Sequence, residues 1–550
     1  LASDGTGTGG KPDPAEQDTP FSKALTAEAS DRLADARAIK AQFQAQITEA
    51  YFFAAPERSR QISSETAAPT TPPMDQAELQ ISIAMEESEN FSTTLIQSFM
   101  PPGMPWCDLK PTSAVPDIFM DEVKEKAKAE QIKVFQLINE SNFYATLPGA
   151  MNPDASVGLF ALMIESGKLH EPVNVMAVPL RELDVNIGPN GDIDDRFVTR
   201  HTKARFIKTL VGKSAVLSKK ILGKIDKRPN EPATVKWGFW RCWDDDKFCW
   251  QKVVLVDDEM VFASKLYGDG SCPLLPIPFN RHPEFPIGSG PLLKAAPELR
   301  VLDDMTAGEV DNIDLSLRPP MTYPDDSFVN VEQGVEPGAW YPIRPGTQDA
   351  VKKMYEPNKL DAVYFDQAKR EQRIRRMFYN DFPQQRGDTP PTATQWLDEM
   401  AMAQRKMGTP GLKFWDDCPA AVFKRFMFIA RQRGLVSDIN VGNKAYSLAP
   451  DNPTKRAQDQ QRVAMVVRGA QIGVQVWPEE FKAGFDGAAA MTEIFDLLGV
   501  SDIVKKRNPA DIQNAVSMIQ KLQGGDPTNT TVQPGQLGGP APAGPAGAPQ

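Results

Sequence analysis

The sequence is poor in the side chains that usually carry chemistry. Its 550 residues include three histidines, His170, His201 and His282, and five cysteines, Cys107, Cys242, Cys249, Cys272 and Cys418. An odd, scattered set of cysteines makes no disulfide framework and reads as reduced thiols. No histidine lies near a nucleophile or a second histidine at ligand spacing, so structural roles are expected of all three. Cys242 and Cys249 bracket a hairpin without a second Cys/His pair at zinc spacing and read as small apolar core residues. Asp244-Asp245-Asp246 lacks the alternation and the bidentate Glu of a calcium loop and reads as a solvated turn. Gly212-Lys213-Ser214 looks like the end of a phosphate-binding loop. Such a loop needs a glycine five positions earlier, where this chain has Ile207, and an apolar strand leading in, which is missing. No catalytic residue, metal or cofactor is therefore expected, and the chain does not read as an enzyme.

Long apolar runs are also missing. None reaches the ~18 residues of a membrane span, and the polar first 20 residues are not a signal peptide, so no membrane contact is expected. There is no excess of positive charge either: Lys+Arg total 61 against 72 Asp+Glu, a net charge of −11. That balance argues against a protein that grips nucleic acid by neutralising phosphates, though not against one that lets DNA slide past.

What is present is ordinary globular sequence, 41% hydrophobic and 24% charged, long enough for several domains. Residues 1–26 and the Gly/Pro-rich 524–550 are expected to be disordered tails. No internal repeat is visible. Apolar residues every three or four positions predict helices over 27–54 (Ile39, Phe43, Ile47, Tyr51), 75–100 (Phe91, Leu95, Ile96, Phe99), 117–141 (Val123, Ile132, Val134, Phe135, Ile138) and 143–150. Strands are expected at 158–166, 173–180 and 184–200, the last folded about a two-residue Asn190-Gly191 turn. A hairpin joins 235–243 to 247–256, and 272–281 reads as a proline-limited edge strand.

From 288 the helical period returns. Gly290 or Ser289 suits an N-cap and Pro291 the first helical position. Leu292, Ala296, Leu299, Leu302, Thr306, Val310, Ile313 and Leu317 then form one stripe along a helix roughly 40 Å long. Pro297 marks a kink or a later start. Residues 318–358, rich in Pro, Gly and aromatics, read as short strands and turns, and 359–378 as a second long helix. That helix carries the basic run Lys369, Arg370, Arg373, Arg375 and Arg376, which either faces outward or pairs with a neighbouring helix. A polar loop with Gly387 and three prolines follows, then a helix at 392–407. Gly408-Thr409-Pro410-Gly411 separates that helix from another at 414–434. Further helices are expected near 454–472, 478–498 and 508–523. Helices, then antiparallel strands, then helices make an α+β fold.

In this order four phrases carry a resemblance: LIQSFMPPGMPW (95–106), LINESNFYATLPGAMNPDASVGLFALMI (137–164), CPLLPIPFNRHPEFPIGSGPLLKAAPELRVLDDM (272–305) and RIRRMFYNDFPQQRGDTPPTATQWLDEM (373–400). The chain resembles, over about 27–523, the portal or head-to-tail connecting proteins of short-tailed (podovirus-type) bacteriophages. The resemblance implies a wing with antiparallel sheets (27–287), a first stem helix (288–317) and a small α/β clip (318–358). It further implies a second stem helix (359–378), a tunnel loop (379–391), a tunnel helix with the rest of the wing (392–450) and a helical crown (451–523). It also implies a ring of about twelve copies with a DNA channel. The partners implied are the major capsid protein, the terminase large subunit transiently, tail adaptor or nozzle proteins, and double-stranded DNA passing through without sequence preference. The ring would assemble in the host cytoplasm and reside in the virion at the head–tail junction.

Roles follow by position. Asn380, Asp381, Gln384, Gln385, Arg386 and Gly387 would line the channel as the tunnel loop. Lys369, Arg370, Arg373 and Arg376 would form a basic stem face. Tyr323, Phe328, Trp340, Tyr341 and Tyr355 would serve clip contacts. Leu292, Leu299, Leu302 and Ile313 would pack the stem. The alternatives are a metal-dependent hydrolase with an unrecognised site and a different head–tail assembly protein, such as a scaffold or adaptor. The order helix, β insert, helix, loop, helix separates the portal reading from both.

Overall fold

The computed structural model describes residues 23–58, 65, 79–112, 120–167, 172–212, 214–243, 248–324, 336–343, 352–353, 361–380, 408–436, 446–451, 462–471, 491 and 494–495. The chain divides into two compact units, Leu1–Lys455 and Arg456–Gln550. In the second, residues 462–471 are helical, within the helix expected near 454–472. The expected tails, the tunnel helix and the last two helices lie almost wholly outside the described residues.

The first unit opens with α1 (Lys23–Ala54) and α2 (Ile83–Phe99), followed by the short strand β1 (Cys107–Pro111). Then come α3 (Met120–Glu140), α4 (Phe143–Met151) and the one-turn α5 (Asp154–Val157). Strand β2 (Leu159–Ser166) is buried on both faces over its first six residues, which is why its sequence is an unbroken apolar run. It is the middle strand of an antiparallel three-stranded sheet, between β3 (Val173–Val178) and β9 (Leu274–Pro278). β9 is an edge strand, where its prolines can be accommodated.

Between β3 and β9 the chain builds an antiparallel five-stranded meander from β4 (Leu183–Ile187), β5 (Ile193–Lys203), β6 (Pro232–Cys242), β7 (Cys249–Val256) and β8 (Glu259–Tyr267). Two short helices, α6 (Ile207–Val211) and α7 (Lys219–Lys227), bridge β5 and β6. The long α8 (Pro291–Leu317) and α9 (Asp361–Met377) flank a small three-stranded sheet of β10 (Met321–Pro324), β11 (Trp340–Ile343) and β12 (Lys352–Lys353). Helices α10 (Gly408–Trp415) and α11 (Ala421–Gln432) follow, and β13 (Tyr446–Pro450) returns to pair with β1. One large core runs from α1 and α2 through the β2 sheet to α11. A smaller cluster packs Ala29, Leu33 and Ala36 of α1 on Phe197, Trp240 and Val253 of the meander.

The mixed α+β architecture matches the expectation, with several local departures. The 184–200 hairpin does not turn on two residues. Its loop is 188–192, with Gly188 N–H donating to the Asp192 carbonyl (2.8 Å) and Gly191 N–H to the Gly188 carbonyl (3.0 Å). Pro189 follows the first residue of that four-residue turn, the position its fixed φ suits, and Gly191, at φ +79°, closes it. Gly408-Thr409-Pro410-Gly411 does not break the chain but starts α10, since a proline in a first helical turn removes no needed donor. The expected 414–434 helix is interrupted by a π-helical turn, Asp416–Ala420, at Pro419, whose missing N–H cannot close an α turn. Helix α2 begins at Ile83, later than expected, and Ile132 points outward, 52% exposed. Gly212, at φ +86°, follows the helix α6 and not a strand, so the phosphate-loop arrangement is absent. Cys249 is buried as expected, while Cys242, paired across the hairpin from it and also expected in the core, is only half-buried.

Candidate functional site: the long helix pair

The α8–α9 pair starts from three glycines. Gly158 ends α5, and its carbonyl accepts hydrogen bonds from the N–H groups of Phe279 (2.9 Å) and Gly288 (3.2 Å). Gly290 N–H donates to the Val157 carbonyl at 3.2 Å. The backbones approach so closely that a Cβ at Gly158 would lie 2.2 Å from the Gly288 oxygen, and one at Gly290 2.1 Å from the Ser156 oxygen. Only glycine fits both strands of this contact. Gly290 caps α8 with extended backbone, and Pro291 takes the first helical position. Behind the contact, the fully buried Asp154 carboxylate accepts from Tyr51 Oη and from Leu180 N–H (3.1 Å), with Arg58 Nη2 3.6 Å away. Burial raises the Asp154 pKa, and the Arg58 charge opposes that. The network ties the end of α1 to the root of α8.

Helix α8 runs unbroken through Pro297. Leu292, Ala295, Leu299 and Leu302 are buried. Three- and four-residue spacing continues that same face through Thr306, Val310, Ile313 and Leu317. There the burial stops: Val310 is 50% exposed, Ile313 42% and Leu317 76%.

Helix α9 lies antiparallel against α8, as its polar contacts show. Gln367 Nε2 donates to Glu309 (2.9 Å), and three residues on, Arg370 Nη1 donates to Glu298 (2.6 Å). Arg370 Nε also bonds Asp366 at 2.9 Å, and Arg373 reaches Glu298 at 3.5 Å. Lys369 Nζ sits 4.1 Å from the centre of the Phe365 ring, and Arg376 is exposed. Of the basic run, Arg370 and Arg373 thus pair α9 with α8 through Glu298. Phe365, 65% exposed, adds another bare apolar side chain to the helix pair.

The end of α9 is pinned. Phe378 is buried, and Tyr379 adopts φ +62°, unusual for a non-glycine residue. Asn380 N–H closes the helix on the Arg375 carbonyl at 3.0 Å. The Asn380 amide nitrogen donates to both oxygens of Glu87, at 3.1 and 2.9 Å, while Arg375 Nε lies 3.6 Å from that carboxylate. Glu87 is 1% exposed; burial raises its pKa and Asn380 and Arg375 pull it back. Tyr379 stacks on Phe91, ring centres 6.1 Å apart. Asn380, expected in a projecting loop, is instead the fixed anchor from which any such loop departs. Asp381, Gln384, Gln385, Arg386 and Gly387 lie outside the described residues.

In the small sheet β10 is central, parallel to β11 and antiparallel to β12. Tyr323 and Trp340 make a tilted aromatic pair, centroids 6.5 Å apart, and Trp340 is 59% exposed. Tyr341 Oη accepts from Glu336 N–H at 2.7 Å. Phe328 and Tyr355 lie outside the described residues. Of the other residues considered, His201 sits on β5 with Nδ1 3.0 Å from Thr234 Oγ1, while His170, Lys213 and Asp244–Asp246 are outside the described residues.

Sequence reasoning missed Glu87, Glu298 and Arg425. Arg425 of α11 is buried and donates to the carbonyls of Ile164 (2.9 Å), Gly270 (3.1 Å) and Ser271 (2.8 Å), which binds α11 to β2 and to the loop before β9. Nothing in the local sequence marks these residues, because their partners are distant in the chain.

Two long helices carrying a small sheet therefore extend from a mixed helix–sheet body. The chain belongs to the family described as bacteriophage head to tail connecting protein, whose model matches residues 26–504. It is accordingly a structural component of a phage-type virion, of the portal or connector kind. No curated protein matches. Among solved structures, the chain is similar to one from the neck of an empty gene transfer agent (GTA) particle, with 13% identity, a TM-score of 0.38, and 76% of this chain and 90% of that one covered. It is also similar to one from the virion of a native GTA particle, with 14% identity, a TM-score of 0.32, and coverage of 74% and 93%. Likenesses this distant carry no argument about mechanism.

Proposed function

We propose that this chain is the portal subunit: a ring of about twelve copies at one capsid vertex, closed by head-to-tail contacts around a channel for DNA. The observation that carries the reading is the second half of α8. A single subunit leaves Val310, Ile313 and Leu317 bare on the face that it buries lower down. Fully burying such a side chain contributes roughly 1.5–3 kcal/mol; these are already partly covered, so each adds on the order of 1 kcal/mol in favour of a neighbouring copy.

In this reading α8 and α9 are the stem and 318–358 the clip, which docks the terminase large subunit during packaging and tail adaptor or nozzle proteins afterwards. The major capsid protein surrounds the wing. Residues 381–391 form the tunnel loop, held at its root by Asn380 on Glu87. Gln384, Gln385 and Arg386 make transient, sequence-independent phosphate contacts, and Gly387 supplies backbone freedom. A net acidic wall with few firm phosphate contacts lets DNA move.

Deleting 381–389 tests the channel role. Rings should still assemble while DNA packaging or retention fails; normal infectious yield from the deletion would refute the tunnel-loop assignment.

A further inference from the structure

Between α1 and the open face of the meander lies a cleft of about 280 Å³, lined by Arg37, Thr199, His201, Thr234, Lys236, Asp257 and Asp258. It continues into a second hollow of about 360 Å³ that shares Arg37, Lys236 and Asp258. Thr199 pairs with Lys236 and His201 with Thr234 across β5 and β6; directly paired residues share a sheet face, so all four project on the cleft side. At one end Asp257 accepts from Thr234 N–H (2.8 Å) and from Lys224 Nζ (2.6 Å), which joins the cleft to α7. Helix α7, KKILGKIDK, buries Ile221 and Ile225. Helical spacing therefore places Lys220, Lys224 and Lys227 together on its other side.

The local charge runs against the rest of the protein. Residues 203–231 hold nine lysines and arginines and two acids, in a chain of net charge −11. The acids within reach are each already engaged: Asp184 with Arg37, Asp226 with Lys208, Glu231 with Arg228, Asp257 with Lys224, Asp258 with Lys236 and Glu259 with Lys220. The cleft is thus balanced in charge, and the excess of positive charge lies along residues 203–231. Across 199–236 the large apolar side chains exposed among the described residues are Phe206 and Val216, and the Arg205 guanidinium lies over the Phe206 ring, 4.7 Å from its centre. A protein partner needs an apolar centre, and lysine is depleted from such centres. A surface of lysine, arginine and threonine hydroxyls with little to bury suits a phosphate backbone instead.

We propose that this basic surface, from Lys203 across α7 to Arg228 beside the cleft, binds the phosphate backbone of double-stranded DNA on the outside of the subunit. The contact is separate from any channel and does not depend on ring closure.

The test is fluorescence anisotropy of the full-length protein with a labelled, covalently closed DNA minicircle, which cannot thread a closed ring. Binding is expected at about 50 mM salt, with a steep salt dependence. The combined variant Lys203→Gln, Lys220→Gln, Lys227→Gln, Arg228→Gln should weaken it tenfold or more and flatten the log–log salt slope by about 0.9 for each phosphate left without a cation. Changing the first three to Arg should restore binding, and Lys110→Gln with Lys126→Gln should leave it unchanged. An unaltered melting curve checks that the glutamine variant is folded. Wild-type affinity in that variant, or no minicircle binding by the native protein, would overturn the proposal. So would equal competition by polyglutamate at matched charge, which would point to an acidic protein partner.

Discussion

Leu292, Ala295, Leu299 and Leu302, in the first half of α8, are covered by the subunit's own core, whereas Val310, Ile313 and Leu317, on the same face of the second half, stand in solvent. One apolar stripe runs through both halves, so the helical period records which face is to be covered and not what covers it. The root is also fixed by contacts that side-chain patterning does not describe, namely the Gly158–Gly288–Gly290 backbone approach and the pinning of Asn380 on Glu87. The outer half pairs with α9 through Glu309 and Gln367. An anchored base and a bare tip are what a protein needs if it must fold alone and then assemble.

The contrast can be broken most severely at the root. Gly290→Val places a side chain where a Cβ is already 2.1 Å from the Ser156 oxygen, and is expected to cost about 3 kcal/mol or more, or to prevent folding. Soluble yield and urea unfolding would show it; a wild-type midpoint would mean that the backbone approach is not tight. Next, Leu299→Ala should lower subunit stability by about 2–5 kcal/mol through an internal cavity, while Ile313→Ala should cost an isolated subunit less than about 0.5 kcal/mol yet weaken assembly. Equal unfolding penalties for the two would erase the distinction between the halves.

Glu87 sharpens the comparison through pH. Its folded pKa is raised by burial, so the native state holds the proton more tightly than the unfolded chain does. Its contribution is therefore complete below the ordinary carboxylate pKa and is lost as pH rises through the raised value. Glu87→Gln keeps an acceptor for Asn380 and should flatten that part of the stability profile relative to the native protein, as read by urea unfolding across the acidic range. Parallel profiles would show that this carboxyl does not titrate in the folded root. The smallest effect is expected at Gly308, where a Cβ meets nothing within 4 Å. Gly308→Ala should stabilise the outer half of α8 by about 0.5–1 kcal/mol, opposite in sign to the same type of change at Gly290.

Much of this framework is legible in the sequence. The periods of α1, α3, α4, α8 and α9, the β6–β7 hairpin and the edge strand β9 all show in their own residues, because each buries a face within one element. The β1–β13 pairing does not show, since five-residue strands such as CDLKP and YSLAP have no pattern until they meet across the chain. Helix α7 is too short for periodicity to distinguish from a loop. The basic run on α9 is plain as charge but ambiguous as to purpose, because Glu298 and Glu87 reach it from other helices. Glu87, an acid among the acids of MEESEN, gives no sign that it alone is buried. The α8 stripe is legible except that Ala295, not Ala296, is its buried alanine, and its division into a covered and a bare half belongs to the three-dimensional structure.

The central claim is that the bare half of α8 is covered by another copy of this chain. The most direct measurement is the mass and negative-stain image of the purified native protein beside the Ile313→Lys, Leu317→Lys variant. The account predicts rings of about a dozen subunits with a central hole for the native chain, and a folded monomer for the variant. A native protein that stays monomeric at every concentration and salt, or a variant that forms the same rings, would contradict it.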